Sequence, residues 1–138
     1  MRIFVDANLL IYLNVKLPEF EARLIEDFWL DLLSNHELYT NVLVLDETIY
    51  ISMKRYKTEL KDTLEFIDKA VLPYVDILPV GLNEYLKAKD YVIKYKLKPS
   101  DAIHLATIET NGLQAIASED RDFDKTGVKR VWIKEKYF

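Results

Sequence analysis

The sequence predicts an α/β fold, a three-layer α/β/α sandwich around a mostly parallel sheet, built as a single domain over residues 1–138. Three observations carry that expectation. Short apolar runs such as 2–6, 75–80 and 113–117 alternate with longer stretches of helical periodicity. The first run places Ile3, Phe4 and Val5 on consecutive positions, the pattern of a strand covered on both faces. No long polar linker, low-complexity run or internal repeat divides the chain.

Taken in order, residues 2–6 form a strand ending on Asp6, and Leu9, Leu10, Ile11 and Leu13 begin a short helix that Val15 to Pro18 interrupts. Phe20, Leu24, Phe28 and Leu32 recur every four residues from Glu19 to Asn35 and mark an amphipathic helix. Leu38 and Tyr39 read as a second strand. Thr40 is the expected N-cap of a helix to about Tyr56 that buries Val42, Leu43, Leu45, Ile49, Tyr50 and Met53. A further helix from about Thr58 to Leu72, apolar at Leu60, Leu64, Ile67 and Val71, folds back on it as a hairpin before Pro73.

Residues 75–80 return to strand, and Gly81 opens a helix with Tyr85, Ala88, Val92 and Tyr95 at helical spacing. Pro99 suits the first turn of the next helix, since its missing N–H has no partner there, and Gly112 ends it. Leu113 to Ala117 is a strand, after which SEDRDF breaks the apolar pattern, and the last strand is expected at Arg130 to Ile133.

Composition excludes several classes of chemistry. The absence of cysteine removes disulfides, thiolate nucleophiles and cysteine zinc sites, and two histidines, His36 and His104, argue against histidine-centred chemistry. No apolar stretch approaches the roughly 18 residues of a membrane span, and the N-terminus lacks a secretion signal, so a cytoplasmic location is expected. The 19 basic and 23 acidic residues leave a net charge of −4, the opposite of a broad field for nucleic acid. Basic clusters nevertheless occur at Lys54, Arg55 and Lys57, at Lys94, Lys96 and Lys98, and at Lys125, Lys129, Arg130, Lys134 and Lys136.

In open parallel sheets ligands bind beyond the carboxyl ends of the strands, and Asp6 and Asp120 both follow such ends, while Asp101 opens a helix. Carboxylates gathered there repel, each pair costing roughly 4 kcal/mol at 4 Å in a surface-like dielectric. A Mg²⁺ or Mn²⁺ ion relieves that repulsion and can activate water for attack on a phosphodiester. Setting aside Asp6, Glu47, Asp101 and Asp120 takes the net charge from −4 to zero, so the remaining surface does not strongly repel a polyanion.

Each acid also has a purely structural use. Asp6 can cap the following helix, Asn8 can make a turn, Asp101 can complement a helix dipole, and Asp120 can belong to a solvated acidic loop. Spacing does not separate Glu47 from Asp46, which lie about 100° apart on one helix. His104, one turn after Asp101, reads as a satisfied, partly buried histidine.

These motifs, in this order, resemble the PIN domain family, and in particular the toxin ribonucleases of VapBC toxin–antitoxin pairs, over nearly the whole chain. FVDAN supplies the strand ending in Asp6 with Asn8 two residues on, and TNVLVLDETIYI supplies Thr40 and Glu47. SDAIHLAT matches a DA-x-x-LA helix opening at Asp101. SEDRDF matches T-x-D-x-x-F with Ser118 in place of Thr, Asp120 as the acid and Phe123 as the aromatic. The resemblance selects Glu47 over Asp46 and Asp120 over Asp122.

The resemblance implies a PIN-like sandwich and Mg²⁺- or Mn²⁺-dependent cleavage of single-stranded RNA, with a homodimeric state and a small antitoxin that blocks the site. It assigns the metal to Asp6, Glu47 and Asp101, and a second ion or the attacking water to Asp120, with Asn8, Thr40 and Ser118 orienting these ligands. Because Lys94, Lys96 and Lys98 lie close to the helix entrance in sequence, one or more of them is expected to meet RNA phosphates. The hairpin at 40–72 is the expected partner or dimer surface. Two alternatives are a PIN-type module that binds RNA or protein without cutting, and a haloacid-dehalogenase-like phosphohydrolase, which needs a second Asp where Asn8 stands.

Overall fold

The computed structural model describes residues 1–133, so Lys134 and Lys136 of the third basic cluster lie outside the described residues. Five strands form one sheet: β1 (Arg2–Val5), β2 (Glu37–Asn41), β3 (Val75–Leu78), β4 (Ala115–Ala117) and β5 (Lys129–Val131), in the order β3-β2-β1-β4-β5. Every pairing among them is parallel, where a mostly parallel sheet was expected.

Parallel neighbours require crossovers, and right-handed ones fix the layers. Helices α1 (Ala7–Asn14), α2 (Glu19–Asn35), α3 (Val42–Lys54) and α4 (Leu60–Phe66) lie on connections that step from β1 to β2 to β3. Helices α5 (Leu82–Tyr95) and α6 (Pro99–Thr110) lie on the connection that returns to β4 beyond β1. Opposite directions of travel put the two groups on opposite faces. Their contacts agree: α1 packs on α2 and α3, while α5 packs on α6 around Ala88, Leu97, Ala102, Leu105 and Ala106. The strand order reverses between β1 and β4, and a crevice opens at such a point beyond the carboxyl ends.

The register sets what stands at that rim. Phe4 pairs with Tyr39 and Val5 with Ala117, so Asp6, Asn41 and Ser118 occupy one level just past the sheet. The Asp6 N–H continues the β1–β4 ladder to the Ala117 carbonyl at 3.0 Å. Ile3, Phe4, Val5, Ala115, Ile116 and Ala117 have no exposed surface, as expected of central strands between two helical layers.

Several local expectations are corrected. Asn41, not Thr40, caps α3: its Oδ1 accepts from Val44 N at 3.1 Å, while Thr40 stays in β2 and donates its hydroxyl to the Val5 carbonyl at 2.7 Å. The face of α3 that packs inward is Val44, Thr48 and Ser52, whereas Val42, Tyr50 and Met53 are exposed. Small side chains let α1 approach, and Asn14 donates to both the Ser52 and Thr63 hydroxyls, at 3.0 and 2.8 Å. Phe20 is exposed because a strict four-residue spacing drifts around a 3.6-residue helix, and Ile25, Trp29 and Leu32 form the buried stripe of α2.

The helix expected to run to Leu72 is α-helical only to Phe66 and continues as a π-helical turn from Ile67–Val71. Ile67 and Val71 in that turn are buried, whereas Leu60 and Leu64 on α4 are exposed. Of the apolar positions expected along α5, Ala88 is buried and Tyr85 is exposed. Gly81 does cap α5, donating its N–H to Glu84 Oε1 at 2.8 Å.

Candidate active site

Asp6 is the first residue past β1, and both its oxygens are held. Oδ1 accepts from Ala7 N at 2.8 Å at the start of α1, and Oδ2 accepts the Ser118 hydroxyl proton at 2.6 Å. The same hydroxyl accepts from Asn8 Nδ2 at 3.2 Å and from Asp120 N at 3.1 Å. A serine hydroxyl has one proton and two lone pairs, so Ser118 is fully used, and it ties the end of β1 to the loop after β4. Asn8 closes the link by accepting from Glu119 N at 3.3 Å.

Asp101 comes from the opposite layer, in the first turn of α6 after Pro99. Carboxylate oxygens of Asp6 and Asp101 and a ring nitrogen of His104 lie within 4.8 Å of one another, and all three residues are buried. Both acids sit at helix starts, whose positive ends offset part of their repulsion. The remainder is visible in Asp101, whose carboxyl is pushed from 3.8 to about 7 by burial first, then by Asp6 and Asp120, with Glu47 adding and Lys98 opposing.

Glu47 is exposed as a residue, yet its carboxyl is also raised, by partial burial first and then by Asp6, against which Lys98 acts. Asp46 and Asp120 raise it further. The close cluster among the described residues contains Asp6 and Asp101 of the four expected acids, whereas Glu47 and Asp120 are linked to it through their charges. Asp122 pairs with Lys125 at 3.4 Å. Asp120 Oδ1 accepts from Asp122 N at 2.9 Å to cap the 3₁₀ turn Arg121–Lys125.

The residues expected to orient the acids divide. Asn8 and Ser118 do so directly through the bonds above, while Thr40 braces the end of β1 through its backbone and touches no carboxylate among the described hydrogen bonds. Of the three lysines before α6, Lys98 acts on Glu47 and Asp101, Lys94 lies over the Tyr95 ring at 5.0 Å, and Lys96 ends α5 in a left-handed conformation, φ 55°.

Two residues were missed or misread in the sequence. Asn41 donates from Nδ2 to His104 Nδ1 at 3.1 Å and to Thr107 Oγ1 at 3.2 Å, crossing from the end of β2 to the buried face of α6. His104 is completely buried rather than partly so, with Nε2 lacking any hydrogen-bond partner. An Asn just before the apolar run Val42–Leu45 was the available signal, since Asn caps helices as well as Thr does.

As donors, the set consists of carboxylate oxygens with hydrogen-bonded backing, the chemistry of a hard divalent cation. The residues fit such an ion: carboxylate oxygens of Asp6 and Asp101 lie within 4.8 Å of each other, and burial first, then the neighbouring carboxylates, raise the Asp101 carboxyl.

Known structures share this arrangement of strands and helices. VapC20 of Mycobacterium tuberculosis, described as a sarcin-ricin loop cleaving toxin, superimposes with a TM-score of 0.77 at 20% identity, over 94% of this chain and 98% of that one. A toxin–antitoxin complex from Klebsiella pneumoniae gives 0.68 at 21% identity, over 96% and 98%. VapBC2 from Rickettsia felis, bound to a DNA fragment from their promoter, gives 0.67 at 15% identity, over 97% and 100%. At these identities the likeness is one of fold. The comparison with curated proteins gives no match. In sequence, the PIN domain family matches residues 3–129, from the first strand into the last and across all four acids, and the chain therefore belongs to that family.

Proposed function

We propose that the protein is a Mg²⁺- or Mn²⁺-dependent endoribonuclease that hydrolyses phosphodiester bonds in single-stranded RNA, acting as the toxin of a toxin–antitoxin pair. The observation that supports this most is the convergence of Asp6 and Asp101 at the crevice, with Glu47 and Asp120 close enough to raise the Asp101 carboxyl. Asp6, Glu47 and Asp101 would hold the cation, and Asp120 would orient the attacking water or a second ion. The bound cation supplies charge stabilisation at the phosphoryl oxygens and a lowered pKa for water.

The chain's own residues prepare this site. Ser118 and Ala7 N fix the Asp6 carboxylate at both oxygens, so no rotamer search precedes binding. Ser118 also holds Asp120 N, which couples the two acids' positions. Lys98, exposed at the entrance to α6, offers a positive charge to an RNA phosphate beside the acids.

An antitoxin partner and a homodimer are part of the same reading. Two of the similar structures are toxin–antitoxin assemblies, and Val42, Tyr50, Met53, Leu60 and Leu64 leave apolar surface on α3 and α4 for a partner. Asn8 stands where the phosphohydrolase alternative needs a second Asp. A binding module that does not cut has no use for carboxylates that raise one another's pKa.

Incubation of the protein with single-stranded RNA and Mg²⁺ or Mn²⁺ tests the proposal. Cleavage that stops on chelation and in Asp6→Asn and Asp101→Asn is expected. RNA binding with no cleavage at any divalent cation would establish the binding module instead, and release of phosphate from small phosphomonoesters would favour the phosphohydrolase.

A further inference from the structure

The hydrogen bonds around His104 determine which of its nitrogens carries the proton. Val44 N, in the first turn of α3, is a backbone donor, so the atom of Asn41 that faces it at 3.1 Å is Oδ1, and the amide orientation is fixed. Nδ2 then points the other way, with its two protons directed at His104 Nδ1 and Thr107 Oγ1. Thr107 accepts there because its own proton goes to the Ile103 carbonyl at 2.8 Å. His104 Nδ1 is consequently an acceptor and carries no proton. A neutral imidazole keeps its proton on the other nitrogen.

That other nitrogen, Nε2, is fully buried and has no partner. Burial lowers the His104 pKa, against which the Asp6 charge acts. The Phe4 ring lies 5.2 Å from the imidazole, centroid to centroid, and provides no acceptor. The nearby acceptors are the Asp6 carboxylate at the end of β1 and the Asp101 carboxylate one turn away on α6, within 4.8 Å of a ring nitrogen. A buried N–H calls for an acceptor, and no protein atom among the described residues bonds to this one.

We propose that His104 is a positioning residue whose Nε2–H donates to an oxygen held between Asp6 and Asp101, and that it is not itself a ligand of the cation. The inference rests on the metal-dependent reading above. Asn41, His104 and Thr107 then act in series, since a helix cap orients an amide, the amide selects a tautomer, and the tautomer presents a donor to the acids. A donor at this point favours a site filled by oxygen and a hard cation. An acceptor nitrogen would instead favour softer transition metals.

Long-range proton–nitrogen correlation on the intact protein decides the tautomer, and calorimetry decides the consequence. At pH 7 we expect the proton on Nε2 and a bare Nδ1, unchanged when Mg²⁺ is added. His104→Gln, which keeps an N–H near the Nε2 position, is expected to bind Mg²⁺ within about threefold of wild type, and His104→Leu to bind about 10–100-fold more weakly. A proton on Nδ1, loss of the Nε2 proton on Mg²⁺ binding, or undiminished Mg²⁺ affinity in a folded His104→Leu would overturn the inference. If His104→Leu does not fold, the tautomer and His104→Gln decide alone. Wild-type protein that takes up no Mg²⁺ would sink the nuclease reading, and the tautomer would still decide the donor. Loss of Mg²⁺ in Asp101→Asn with full affinity in His104→Leu would leave that reading standing and remove this one.

Discussion

The Ser118 hydroxyl donates to Asp6 Oδ2 at 2.6 Å across 112 positions of sequence. This bond joins the first strand to the loop after the fourth, and the parallel register of Val5 with Ala117 makes it possible. Ser118→Ala is expected to lower stability by about 1.5–3 kcal/mol, the range for a hydrogen bond to a charged group. The same change should weaken Mg²⁺ binding by about 10–100-fold, because Asp6 and the Asp120 backbone lose their common anchor. Ser118→Thr retains the hydroxyl and should restore most of both. Urea unfolding and calorimetry measure the two effects, and an alanine variant equal to wild type in both would show that the bond positions nothing.

The raised Asp101 carboxyl makes the metal-free protein sensitive to pH. Its pKa rises on folding from 3.8 to about 7, so the folded state holds that proton more tightly than the unfolded chain. The stabilisation this provides is complete below the unfolded pKa and disappears as the pH rises through about 7. The difference in melting temperature between wild type and Asp101→Asn should therefore move against wild type across that window. Mg²⁺ should recover the loss above pH 7, where it replaces the proton, and have little effect near pH 4. A difference that stays flat with pH would contradict this.

Much of the arrangement was legible in the residues because strands and helix openings place side chains by simple rules. Asp6 follows a run of three apolar residues, and Asp101 follows Pro99 at a helix start, so their positions were set by local chemistry. Glu47 was different. Neighbouring helix positions 100° apart both had apolar flanks, so the resemblance alone selected Glu47, and in the fold partial burial first and then the Asp6 charge raise its carboxyl. The buried face of α3 was illegible for the opposite reason: hydrophobicity pointed to Tyr50 and Met53, whereas close approach of α1 required the small Thr48 and Ser52. His104 looked like a filled histidine because a sequence contains no record of which nitrogen finds a partner.

Lys98 lies exposed at the start of α6, and its charge opposes the rise in both Asp101 and Glu47. Lys98→Glu should weaken single-stranded RNA binding and reduce the slope of log affinity against log salt by roughly 0.7, the value for one phosphate contact. Equivalent changes at Lys94, which packs on Tyr95, should have a smaller effect. Affinities measured at several salt concentrations in a cleavage-inactive background test this. An unchanged slope would remove Lys98 from the RNA path.

Asn14 bridges Ser52 and Thr63 beneath α1, about 12 Å of helix away from Asp6 by the rise per residue. Asn14→Ala leaves two buried hydroxyls short of a donor and is expected to cost about 1–3 kcal/mol in urea unfolding. Divalent cation affinity should be unchanged, which separates the scaffold from the site. A large loss of affinity in this variant would mean that α1 transmits its packing to Asp6.

Direct titration of Mn²⁺ followed by electron paramagnetic resonance, on wild type and on six single variants, bears on the central claim without any RNA present. Asp6→Asn, Glu47→Gln, Asp101→Asn and Asp120→Asn should each weaken binding, while Asp46→Asn and Asp122→Asn, their sequence neighbours, should bind as wild type does. Equal affinity across all six would mean that the four carboxylates do not share a cation.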